Sequence, residues 1–136
     1  MREILFRGKR IDNGEWKEGS YVYQHGCHMI YLPSVDSEYG FDNYHIHPET
    51  VGQFTGLTDK NGKKIFEGDI VSFKRINALG YTTCRIGKVR YDDELPIFYI
   101  LSTTGDAWDW VYCEDIEVIG NIHDNPELLH WKEWDI

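Results

Sequence analysis

The chain is short of cysteine, of cations to balance its anions and of long apolar runs, and each shortage excludes something. Its 136 residues hold three cysteines, Cys27, Cys84 and Cys113. That number is odd and the spacing wide, so no disulfide framework of a small secreted scaffold can be built from them. They read as reduced thiols of a reducing compartment, which makes the cytoplasm the expected location. The longest apolar stretch, Ile97-Phe98-Tyr99-Ile100-Leu101, is far below the roughly 20 residues that cross a bilayer as a helix. Met1-Arg2-Glu3-Ile4-Leu5-Phe6-Arg7 returns to charge at once and reads as no secretory leader. No membrane role is expected. Fourteen Lys and Arg stand against twenty-three Asp and Glu, a formal charge of −9, whereas gripping phosphates calls for clustered cations. The nearest thing to a basic patch, Lys60, Lys63 and Lys64, falls on an expected turn. Nucleic acid is a disfavoured partner.

What is plentiful is aromatic and β-branched material. Five tryptophans, nine tyrosines and six phenylalanines can fill the core of one domain without a metal or disulfide staple. These residues gather in short runs broken by Gly, Asn and Asp, which is the pattern of strands. Asn13-Gly14 supplies the positive backbone angles of a tight turn and predicts a hairpin between residues 4–11 and 16–23. His28 to Leu32 reads as a strand stopped by Pro33, and residues 33–43 as a surface loop. Asn61-Gly62 predicts a second hairpin, and Gly68-Asp69 a turn into a strand where Val71 and Phe73 share one face. Further strands are expected at 85–91, 97–101, 108–112 and 116–120. Asn125-Pro126 reads as a helix start, with Leu128, Leu129, Trp131 and Trp134 as its apolar stripe.

The fold these elements predict is mainly β. It is a small bent sheet or SH3-like barrel in the C-terminal two thirds, with an N-terminal β-hairpin extension and a short C-terminal helix. No linker composition marks a break, so residues 1–136 are read as a single unit. A candidate internal boundary near Thr50 separates a 1–50 hairpin region from a 51–136 region of barrel and helix.

The central run Gln53-Phe54-Thr55-Gly56-Leu57-Thr58-Asp59-Lys60-Asn61-Gly62-Lys63-Lys64-Ile65-Phe66-Glu67-Gly68-Asp69-Ile70-Val71 resembles the central motif of the YopX family, small proteins of phages and prophages. The opening Arg2-Glu3-Ile4 with Phe6-Arg7 is similar to that family's opening. Gly120-Asn121-Ile122 followed by Asn125-Pro126-Glu127-Leu128-Leu129 is similar to its close. The resemblance implies a mainly β fold and phage origin, and it carries no activity, cofactor or catalytic residue with it. Residues 33–47 match nothing in the family pattern. Physically the central block reads as architecture. Gly56, Gly62 and Gly68 recur every six residues where the chain must turn, and Gln53, Asp59 and Asp69 can bond neighbouring backbone.

Chemistry-bearing candidates are few. His45 and His47 flank Ile46 and would face one side of a strand, a pair of metal ligands if Cys27 or His28 supplied a third. No CxxC or HxxxH accompanies them, so the expectation is no metal and no cofactor. Cys27 could pair with His25 or His28 as nucleophile and base, although neighbours on a strand point to opposite faces. Cys84 and Cys113 read as buried small hydrophobes. Asp92-Asp93-Glu94 and Asp106 with Asp109 read as solvated turns, lacking a calcium-loop spacing. Trp108, Trp110 and Tyr112 would share one face of a strand, either core or a surface for a partner, and Trp131 with Trp134 raises the same choice. The expected function is non-enzymatic: a phage accessory protein of the bacterial cytoplasm that binds a host or phage protein. In its sharpest form, an acidic surface would engage a basic one that normally meets DNA. The alternatives are a self-assembling structural subunit, hence a homo-oligomer, and a metal-assisted hydrolase built on His45, His47 and a carboxylate.

Overall fold

The computed structural model describes residues 3–76 and 78–130. The chain divides at Gly56 and Leu57 into two compact units. In the first lie β1 (Phe6–Lys9), β2 (Trp16–Gln24), β3 (Cys27–Pro33), β4 (Phe41–His45) and the larger part of β5 (Gly52–Thr58), arranged as an antiparallel sheet in the order β4-β3-β2-β1-β5. The hairpin expected at Asn13-Gly14 forms between β1 and β2, but over a longer connection: only Gly14 of the pair takes positive φ, +74°, and the last strand pair is Lys9 with Trp16. A second tight turn follows at His25-Gly26, where both residues take positive φ, 52° and 77°, and Gln24 faces Cys27. That is the two-residue geometry whose twist matches the flanking strands. The loop expected over residues 33–43 is shorter, because Phe41 to His45 pair with Pro33 to Met29 and form β4. Met29, Ile30, Ile46 and Phe54 are buried in this unit.

The second unit holds the end of β5, β6 (Lys64–Phe66), β7 (Asp69–Ile76), β8 (Thr82–Asp92), β9 (Ile97–Ser102), β10 (Ala107–Trp108), β11 (Glu114–Asn121) and α1 (Glu127–His130). Its five-stranded sheet runs β10-β9-β8-β7-β11. Ile65, Val71, Phe73, Val89 and Ile100 form the buried cluster, with Trp108, Trp110, Cys113, Ile116 and Val118 packed partly buried against it. Val71 and Phe73 enter that cluster together, as strand alternation demands.

The mainly β class and the short C-terminal helix stand as expected, but the sheet does not close into a barrel. β10 and β11 lie at opposite edges. The expected strand 108–112 breaks off after Trp108, and residues Trp110–Tyr112 wind into a 3-10 turn. The Asp109 side chain accepts the Val111 N–H at 3.2 Å, and the Cys113 N–H bonds to the Trp110 carbonyl at 3.1 Å, which holds the turn shut. Trp108, Trp110 and Tyr112 therefore do not share a strand face. At the helix start, Asn125 turns its Oδ1 back to accept the Asn121 N–H at 3.2 Å. The carbonyl of Asn125 takes the Leu128 N–H. Trp131 and Trp134, expected on the helix stripe, lie outside the described residues.

Gly19 shows how closely β2 and β3 approach. A Cβ built there would sit 2.3 Å from the Tyr31 carbonyl oxygen and 3.0 Å from Ile30 Cγ2. Backbone cannot yield as a flexible side-chain tip can, so Gly19→Ala is expected to cost about 1–3 kcal/mol. Urea unfolding of wild type and variant measures the difference; equal midpoints would contradict the packing described.

Candidate functional site

The central block proves to be a clamp made of buried carboxylates. Asp59 is 7% exposed. Its Oδ1 accepts the N–H groups of Asn61 and Lys63, each at 2.9 Å, and so shapes the Asn61-Gly62 turn. Its Oδ2 accepts the Val118 N–H at 3.0 Å, fastening that turn to β11 across 59 residues of sequence. The Lys60 N–H to the Ile116 carbonyl at 2.9 Å and a Lys60–Glu117 ion pair at 3.4 Å complete the attachment. Burial pushes the Asp59 carboxyl up. The backbone donors of Val118, Lys63 and Asn61, with the charge of Lys63, outweigh it and hold the group below the ordinary carboxylate value.

Asp69, 1% exposed, does the same for the next turn, its Oδ2 accepting the Phe66 N–H at 2.7 Å across Glu67-Gly68. The Gly68 N–H bonds to Val89 and its carbonyl takes the Ile122 N–H, so this turn is tied to both β8 and the end of β11. Gly62 and Gly68 take positive φ, 82° and 91°, at these turns. Gly56 also has positive φ but lies within β5, not at a turn. Asn121 completes the set by accepting the His123 and Asp124 N–H groups at 3.0 and 2.9 Å. The polar residues of the central block and the chain's close thus satisfy backbone donors that would otherwise be costly to bury.

The chemistry candidates are scattered. His45 ends β4 exposed, Ile46 is buried, and His47 heads the turn Pro48–Thr50 with Nδ1 3.7 Å from the Glu49 carboxylate. His28 Nδ1 is engaged 2.6 Å from the Tyr21 hydroxyl, and its ring packs against Tyr21 and Tyr23. Among the described residues no group of three or more His, Cys, Asp and Glu side chains is placed to hold a metal ion. His25 is a turn residue and Cys27 opens β3 beyond it. Cys84 is exposed on β8, contrary to the expected burial, because residues 82–84 at that end of the strand are all exposed. Cys113 is half-buried, its thiol donating to the Asp109 carbonyl at 3.5 Å. Burial, with the nearby Asp109 charge, pushes that thiol up to about 11, the wrong direction for a nucleophile at neutral pH.

Asp92 caps its own turn through the Glu94 N–H at 3.0 Å, and Asp106 accepts from the Thr104 hydroxyl at 3.2 Å. Asp92 and Asp109 also rim a groove of about 350 Å³ whose walls include Tyr99 and Trp108. The Arg75 guanidinium stacks 3.8 Å from the Trp108 ring centroid. Trp110 donates its indole N–H to the Phe98 carbonyl at 2.9 Å, covering that point on the β9 edge. Beyond them Val111 and Tyr112 are 81% and 63% exposed. Of the five aromatic residues expected as a partner surface, Trp108 and Trp110 pack partly against the core and Tyr112 faces out. The sequence signal that could have separated them is the Asp109 cap, which ends the strand alternation.

These features define a class: an all-antiparallel β protein whose central-block carboxylates organise turns. A family model described as "YopX protein" matches residues 5–130. The chain belongs to the YopX family. It is also similar to a solved structure, the crystal structure of protein EF1440 from Enterococcus faecalis. The match has 24% identity and a TM-score of 0.57 over 95% of this chain and 99% of that one, which shows a shared fold. No curated protein matches the chain. No helix among the described residues is long and apolar enough to cross a membrane.

Two outcomes follow from the buried groups. An Asp59 carboxyl held below its unfolded value of about 3.9 contributes stability that is present above that pH and lost as pH falls through the folded value. Asp59→Asn should lower stability at pH 7 by about 1–3 kcal/mol, and the gap from wild type should narrow as pH drops below about 4. Denaturant unfolding at pH 7 and pH 3 checks this; a gap independent of pH would refute it. In a Cys27→Ser, Cys84→Ser variant, alkylation of Cys113 should still be rising about tenfold per pH unit between about pH 8 and 10. A rate that levels off between about pH 9 and 10 would show an ordinary thiol.

Proposed function

We propose that this YopX-family chain is a non-enzymatic phage or prophage accessory protein that acts in the bacterial host cytoplasm by binding another protein. One observation carries the reading. Val111 and Tyr112 stand exposed on the turn Trp110–Tyr112, which follows directly on Trp108 and Asp109, two residues that line the groove with Tyr99 and Asp92. Exposed aromatic and aliphatic side chains beside a groove are the kind of anchor that protein interfaces concentrate. The two rim carboxylates, on a chain of formal charge −9, favour a partner whose apolar patch is ringed by Lys and Arg. Complementary charge of that kind speeds encounter and sets orientation.

Catalysis asks for nucleophile, base and orienting groups within hydrogen-bond reach of one another. Within the second unit Cys84 is exposed near the start of β8 and Cys113 is held as a thiol, which favours the binding reading. The test is retention of a protein from phage-infected cells on the immobilised chain at low salt. The variant carrying Val111→Asp and Tyr112→Asp should reduce that retention about tenfold or more while keeping the wild-type unfolding midpoint, since both side chains are exposed. Equal retention by variant and wild type would sink the assignment of this surface. A wild-type dimer in light scattering that the same pair of substitutions disperses would replace it with the self-assembling reading.

A further inference from the structure

β4 is an edge strand of the first unit's sheet. In antiparallel pairing, backbone groups alternate between facing the neighbouring strand and facing away. The Ile46 N–H bonds to the His28 carbonyl, so Tyr44 and Asp42 also direct their backbone groups toward β3. His45, Asn43 and Phe41 direct theirs outward. The outward carbonyl of His45 is taken by the Ile11 N–H at 3.0 Å. Among the described residues, no backbone group takes those of Asn43 and Phe41.

Two open cavities meet along this bare stretch. One, of about 400 Å³, lies between residues 10–12 and 43–45. The other, of about 460 Å³, lies between Ser37, Tyr39 and residues 41–44. They share Asn43 and Tyr44, so together they follow the strand's outer side. Phe41 stacks on Tyr31 at 4.9 Å, and Tyr39, 76% exposed, tilts against Phe41 at 6.5 Å.

We propose that this edge accepts an extended, lysine- or arginine-bearing segment of another protein as an added strand. Charge selects the occupant. The groove's own cations are already engaged: Arg10 pairs with Asp12 at 2.6 Å and Glu15 at 3.5 Å, and Lys17 with Glu15 at 3.6 Å. Asp42, with Asp36 and Glu38 in the adjoining loop, leaves the rim negative. A second copy of this chain is the wrong occupant. A symmetric antiparallel pairing through Phe41 and Asn43 is centred on Asp42 and would set that carboxylate opposite its own image, a destabilising like-charge pair. Basic side chains on an incoming strand would meet Asp42 and the faces of Tyr39 and Phe41. The site lies wholly within the first unit and does not depend on the surface assigned to Val111 and Tyr112.

The test uses the full chain and a blocked lysine–valine alternating hexapeptide, with a glutamate–valine hexapeptide and a lysine–valine peptide carrying a central proline as controls. By amide exchange, the lysine–valine peptide should slow the Phe41 and Asn43 N–H groups about tenfold or more, and neither control should. Asp42→Lys should weaken binding about tenfold. Asn43→Pro, which removes an outward donor on an edge strand where proline is tolerated, should abolish the protection while the circular dichroism stays as in wild type. Absence of binding, shifts scattered over the acidic surface without protection at Phe41 and Asn43, or full binding by Asn43→Pro would each overturn the proposal. So would protection of those amides by a dimer in the absence of peptide.

Discussion

One carboxylate holds the second unit in register. Asp59 sits nearly sealed from solvent yet charged, because three backbone N–H groups converge on its two oxygens. An ion so placed has no favourable alternative to that geometry: every misalignment of the turn or of β11 leaves buried charge without donors. Asp69 repeats the arrangement ten residues on, and Asn121 extends it to the chain's close. The polar residues of the central block therefore pin backbone to backbone.

The division between legible and illegible follows the range of the forces involved. Asn13-Gly14, Asn61-Gly62 and Gly68-Asp69 act within a few residues, so the turns they make could be read directly from composition. His25-Gly26 could not: glycine was one of the two positive-φ residues, but histidine is an uncommon partner for it, and the Tyr21 and Tyr23 rings that hold His28 beyond the turn are a tertiary contact. The strand expected through Tyr112 failed for a local reason that alternation overrode, the Asp109 cap. Cys84 was misjudged because β8 runs past the core, leaving its first residues exposed. Barrel closure depends on which strands meet at the ends of the sheet, and no single segment encodes that.

The candidate surfaces differ from the clamp in kind. Val111, Tyr112, Tyr39 and Phe41 are exposed, and Tyr39 and Phe41 line a groove open to solvent. Residues 33–47 include β4 with its outward-facing backbone groups. A scaffold fixed by internal polar contacts can vary such surfaces without refolding.

The reach of the Asp59 bond also bears on how the chain comes to be folded. Hairpins joined by two-residue turns close over a few residues and need no distant help, whereas the acceptor at Asp59 must wait for a donor 59 residues further along. On a ribosome adding about 5–20 residues per second, the turn at Asn61-Gly62 exists for seconds before β11 leaves the exit tunnel. Until then its carboxylate stays hydrated at the surface of an unfinished sheet. Dehydrating it through the Val118 N–H therefore waits until β11 has been made.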